Sequence, residues 1–141
     1  MAYMSQEHKK KLSPAIKAVL KKYGVKGSIG VRHNSSLVVN IKEGVLDFIG
    51  CAQSHNDLYT EREGLPSHKV SGYIQVNPYW SAEWALRAGY DVISKFYEEL
   101  CNAMHGPDYY NNTDAQIDYF DCSHYVDINV GKWNKDYVYI S

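Results

Sequence analysis

The sequence predicts an α+β fold. We expect a mostly antiparallel sheet of about five to six strands, one long helix packed on a face, and an amphipathic helix at the N-terminus. Three observations carry this. Apolar residues recur at a helical period near the start and again past the middle of the chain. Short segments elsewhere alternate apolar and polar residues, as half-buried strands do. With 141 residues, 45% of them hydrophobic, the chain can fill one core, so residues 1–141 read as a single α+β domain. The expected order is α-β-β-(β)-β-α-β-β.

Residues 5–23 read as the first helix. Leu12, Ile16, Val19, Leu20 and Tyr23 form one stripe, and lysines cover most of the remaining surface. Pro14 removes a donor from a helix interior, so we expect a lead-in turn with the helix starting at Ser13-Pro14, or a kink there. Gly24 supplies the stop. Strands follow at 26–33 and 36–42, joined at Asn34-Ser35, a pair that tolerates positive φ. After the Gly44 turn, 45–49 is a candidate third strand. Residues 50–68 show no sustained period and carry Gly50, Gly64 and Pro66. They are expected to form a long surface loop with room for one helical turn, and loops that long tend to carry function.

A strand at 70–76 ends at Asn77-Pro78. The longest element is expected to be a helix at about 81–104, with Ala85, Ala88, Val92, Phe96, Leu100 and Ala103 in one stripe. Gly89 inside it reads as a close-packing contact with the sheet, and Gly106-Pro107 as the terminator. Residues 107–118 read as a polar, tyrosine-bearing loop. Strands at 119–130 and 137–140 complete the sheet, and Tyr73, Tyr97 and Tyr119 are expected in the core.

The net charge of −1 excludes a strongly basic coat protein and a wholesale polyanion mimic. The total conceals a split: residues 1–50 carry +6 and residues 51–141 carry −7. Tyrosine is the compositional outlier, with 13 residues, eleven of them after residue 50. That exceeds what a core of this size can bury with every hydroxyl paired. Cys51, Cys101 and Cys122 are an odd, scattered set rather than a disulfide framework, so a reducing cytosol is expected. No apolar run approaches the ~18–20 residues of a membrane span. No hydrophobic stretch follows the N-terminal lysines, so a signal peptide and a membrane partner are not expected.

Cys51-x3-His55 and Cys122-x-His124 could converge as a zinc set, but neither spacing matches a zinc knuckle. No metal and no cofactor are expected. Asp118, Asp121 and Asp127, with Asp114 nearby, could hold Mg²⁺ for phosphodiester hydrolysis, against a plain reading as a solvated strand face. The six histidines sit in no nucleophile context, so no catalytic residue is assigned and the chain leans away from enzymes. Gly24, Gly27 and Gly30 precede a strand, whereas a dinucleotide fingerprint follows one.

Two binding surfaces stay in play. Lys10, Lys17, Lys21 and Arg32 could attract nucleic acid or a nucleotide in a salt-sensitive way, although aromatic stacking platforms are not evident there. Tyr79, Trp80 and Trp84 cluster where strand meets helix, and Tyr109, Tyr110, Asn111 and Asp114 cluster in the acidic loop. Aromatic and small amide side chains make adaptable contacts at low entropic cost, so these seven residues are the leading candidates for a protein partner. A homo-oligomer remains open.

The segments Asn77-Pro78-Tyr79-Trp80, Asp118-Tyr119-Phe120-Asp121 and 125–135 (YVDINVGKWNK) resemble a family of small uncharacterised proteins from tailed bacteriophages and other mobile elements. The N-terminal half, around Ile16-Lys17-Ala18-Val19-Leu20-Lys21-Lys22-Tyr23, loosely resembles a large-polyvalent-protein-associated domain. The resemblance implies a cytoplasmic accessory protein of a bacterial host's phage. Such a protein would bind a host protein or complex and inhibit anti-phage defence, in the manner of an anti-CRISPR. It carries over no catalytic residues.

Overall fold

The computed structural model describes residues 3–66, 69, 72–76, 81–107, 109, 124–131 and 135–140. The elements run α1 (Gln6–Lys22), β1 (Val25–Arg32), β2 (Ser36–Gly44), α2 (Phe48–Glu63), β3 (Ile74–Val76), α3 (Ser81–Arg87), α4 (Asp91–His105), β4 (Tyr125–Val130) and β5 (Val138–Tyr139). The fold is α+β, with the N-terminal helix first.

The sheet is mixed rather than mostly antiparallel. Its order is β1-β2-β4-β3, with β5 also paired to β2. β1 and β2 form an antiparallel hairpin, and β3 is antiparallel to β4. The two central strands, β2 and β4, run parallel, and so does β5 against β2. Alternation fixes which face a side chain occupies but is silent on strand direction. β4 keeps that alternation in sequence, whereas Leu37–Val39 of β2 is a continuous buried apolar run of the kind parallel strands more often show. Leu37, Val39 and Ile41 stand opposite Val126, Ile128 and Val130, and all six are buried. Asn40 and Asn129 pair in the intervening register, where the Asn129 amide donates to Asn40 Oδ1 at 3.1 Å.

In the hairpin, His33 and Asn34 are the residues at positive φ, and Ser35 N–H donates to the Arg32 carbonyl. The left-handed pair thus falls one residue earlier than expected.

α1 begins well before Pro14. Its N-cap is Ser5, whose hydroxyl accepts from His8 N–H at 3.0 Å. Pro14 lies inside the helix and cannot donate one turn back, while Ser13 Oγ donates to the Lys9 carbonyl in the same turn. Leu12, Ile16 and Leu20 face the core, and Gly24 at φ +67° ends the helix as expected.

The expected loop at 50–68 is largely α2, and the candidate strand at 45–49 runs into its first turn. Asp47 caps α2 by accepting from Gly50 N–H at 2.9 Å. Gly64, at φ +68°, closes it, with Leu65 N–H donating to the Thr60 carbonyl and Gly64 N–H to that of Glu61.

The single long helix expected at 81–104 is two helices. Gly89 adopts φ +87°, Tyr90 N–H donates to the Ala85 carbonyl and Gly89 N–H to that of Leu86. That is a left-handed helix stop. A Cβ on Gly89 would meet nothing within 4 Å, so backbone conformation, not close packing, accounts for the glycine. Ser94 Oγ donates to the Ala82 carbonyl at 2.6 Å and ties the two helices together.

One hydrophobic cluster joins α1, α4 and the inner face of the sheet. Phe96 is its hub, packed on Tyr23, Phe48 and Tyr97 with ring centroids 5.3–5.9 Å apart. Tyr97 is buried as expected, while Tyr73 is exposed and Tyr119 lies outside the described residues. Tyr137 is a further buried ring, donating to the Leu46 carbonyl at 2.7 Å. No helix among the described residues is long and apolar enough to cross a membrane.

Candidate functional site

α2 and α3 together build an open groove of about 840 Å³. The cap at Asp47 and the buried Phe48 and Cys51 anchor the start of α2. Further along the helix, His55, Leu58, Tyr59 and Arg62 line the groove. His55 of α2 stacks on Trp84 of α3, with centroids 4.9 Å apart and planes 29° from parallel. Leu58, Tyr59, Arg62 and Arg87 extend the groove. Leu58, Tyr59 and Trp84 all keep a large exposed fraction.

Charge in the groove is balanced locally. Arg87 pairs with Glu83 at 2.6 Å, one helical turn away, and Arg62 pairs with Glu63 at 3.3 Å while lying 5.8 Å from the Tyr59 ring centroid. Burial lowers the pKa of the His55 imidazole, and the positive charges of Arg87 and Arg62 lower it further. His55 is therefore neutral at neutral pH, a ring for stacking rather than a cation.

Of the seven residues expected to bind a protein partner, Trp84 lies in this groove. Tyr109 does not. Trp84 sits beside the N-terminal half of α4, whereas Tyr109 follows its C-terminal end. There Tyr109 packs on His105 with the rings tilted and their centroids 4.1 Å apart, and meets His124 edge-on at 5.3 Å. His124 is fully buried, its Nε2 lies 2.8 Å from the Met104 carbonyl oxygen, and His8 of α1 meets its ring edge-on. Tyr79, Trp80, Tyr110, Asn111 and Asp114 lie outside the described residues.

The basic residues split into two places. Lys10, Lys17 and Lys21 are exposed on α1. Lys17 and Lys21 meet Lys26 of β1 around an open groove of about 410 Å³. Arg32, at the other end of β1, pairs with Asp127 instead. Lys22 pairs with Glu99 at 2.6 Å, and Tyr23 donates to the same carboxylate.

The metal candidates do not assemble among the described residues. No group of three or more His, Cys, Asp or Glu there is placed to hold an ion. Burial, and then the charge of Asp47, push the Cys51 thiol up to about 11, so it stays protonated at neutral pH. Asp127 faces Arg32, while Asp118, Asp121 and Cys122 lie outside the described residues. Cys51 and Cys101 are both buried.

Sequence reasoning missed Leu58, Tyr59 and Arg62 because it read their segment as loop; it weighed His55 only as a zinc ligand, and it placed Arg87 on a helix without singling it out. The signals for a helix were present in Asp47 and Gly64, an N-cap residue and a C-terminal glycine at helical spacing. No protein-family model, curated protein or solved structure matches this chain.

Proposed function

We propose that this chain is a non-enzymatic binding protein that engages a partner protein through the α2–α3 groove, with Trp84 as its anchor. One observation carries the reading: a large, partly exposed indole is held flat by a neutral imidazole inside an open groove flanked by Tyr59, Arg62 and Arg87. Trp, Tyr and Arg are the residue types that dominate interface energetics. A ring already fixed by stacking loses little freedom on binding. The wider role is that of a phage-type accessory protein acting on a host protein, as an inhibitor of anti-phage defence. This rests on the sequence resemblance.

The test is affinity capture from infected bacterial cells with the wild-type chain and Trp84→Ala, each verified as folded by circular dichroism. A partner retained by the wild type and lost with Trp84→Ala is the expected result. Equal recovery by both chains would remove the groove from the reading.

A second reading is favoured by one specific feature, the lysine-lined groove between α1 and β1. It would give nucleic acid or a nucleotide a salt-sensitive foothold through Lys17 and Lys21. Capture that survives Trp84→Ala, but is lost with Lys17→Glu/Lys21→Glu and released by raised salt, selects this reading instead.

A further inference from the structure

Beside the groove lies a smaller, half-open cavity of about 150 Å³, lined by α2, β3, α3 and α4. Cys51, Ile74, Val76, Ser81, Ala85 and Tyr97 form its wall, and it shares His55 and Trp84 with the groove. Ser81 is only 4% exposed, and its Oγ has no hydrogen-bond partner among the described residues. Buried hydroxyls are nearly always paired, because an unmade hydrogen bond carries the full desolvation cost.

We propose that this cavity is a binding site for one neutral ring of about phenol size carrying a hydroxyl group. A cavity of about 150 Å³ admits a benzene-sized ring. The apolar wall supplies contact for the ring, and Ser81 Oγ supplies both a donor and an acceptor for its hydroxyl. No Lys, Arg, Asp or Glu is among the described lining residues, so an ionised ligand would be buried without a counter-ion. The protonated Cys51 thiol and neutral His55 add no charge of their own. This inference does not depend on the groove's having a protein partner.

The experiment titrates p-cresol, toluene and N-acetyl-tyrosine amide into the purified full chain, followed by NMR chemical shifts. p-Cresol is expected to bind saturably and about fivefold more tightly than toluene, the worth of one added hydrogen bond. Ser81→Ala should erase that preference while leaving toluene binding unchanged. Ala52→Leu, which narrows the cavity, should weaken both ligands. Without ligand, Ser81→Ala should unfold at a higher urea concentration than wild type, because it removes an orphaned hydroxyl. Binding of the tyrosine amide as well as p-cresol would extend the site to a partner's side chain, whereas p-cresol alone would restrict it to free small rings. Both outcomes support the site. Absence of saturable p-cresol binding, a cresol preference that survives Ser81→Ala, or a less stable Ser81→Ala chain would each overturn it, leaving a water-filled or self-filled void.

Discussion

α4 and α2 are nearly equal in length, fifteen and sixteen residues, yet they do opposite work. α4 buries Ile93, Phe96, Tyr97, Leu100, Cys101 and Met104 along its whole length. α2 buries Phe48, Cys51 and Thr60, and leaves Leu58 and Tyr59 exposed. One helix is held by a stripe, the other by its two ends. A helix secured at its ends can present its remaining face to something else, and α2 presents it to the groove.

The largest effect that would sharpen this contrast is expected at the hub of α4. Phe96→Ala removes a fully buried ring with three aromatic neighbours and should cost about 3–5 kcal/mol in urea unfolding. A loss as small as a surface substitution gives would break the picture of α4 as the core helix.

A smaller, pH-dependent effect belongs to the far end of α4. Burial lowers the pKa of His124, an effect opposed by the Met104 carbonyl and reinforced by His8. Burial also lowers that of His105, and the charge of His124 adds to it. The unfolded chain therefore takes up protons more readily than the folded one. Stability from these groups is intact above the ordinary histidine value, about 6.5, and falls as pH drops from there through the lowered folded-state values. Melting temperature should decline as pH falls below about 6.5, and His124→Gln should flatten the decline. An unchanged slope in that variant would place the acid sensitivity elsewhere.

The α2 side of the comparison is expected to respond more weakly. Asp47→Ala removes the N-cap of α2 and should cost about 1 kcal/mol, read by chemical denaturation. Leu58→Ala, on the exposed face of the same helix, should stay within about 0.5 kcal/mol. If Leu58 instead mattered as much as the cap, the outer face of α2 would be packing surface rather than binding surface.

Much of this architecture was legible in advance, and the reasons divide along the same line. α1 and α4 announce themselves because their apolar residues recur at the helical period, and the β1–β2 hairpin because Ile29 and Val31, then Leu37, Val39 and Ile41, recur at every second residue. α2 was hidden because its apolar residues follow no period, and only Asp47 and Gly64 marked its ends. The direction of β4 was illegible because alternation is the same for parallel and antiparallel partners. At the site, Trp84 could be picked by residue type alone. Its stacking on His55 and the orphaned hydroxyl of Ser81 are tertiary facts, produced by a helix that the pattern did not show.

The parallel pairing of β2 with β4 also sets an order of events during synthesis. Ser36 must wait for Tyr125, and Ile41 for Val130, before the centre of the sheet exists. Until then the β1–β2 hairpin carries an open edge beside Leu37, Val39 and Ile41. Such non-local closure makes for slow folding and a long window for mispairing. A nascent chain would therefore expose that strand edge until residues 125–130 have been made and have paired with it.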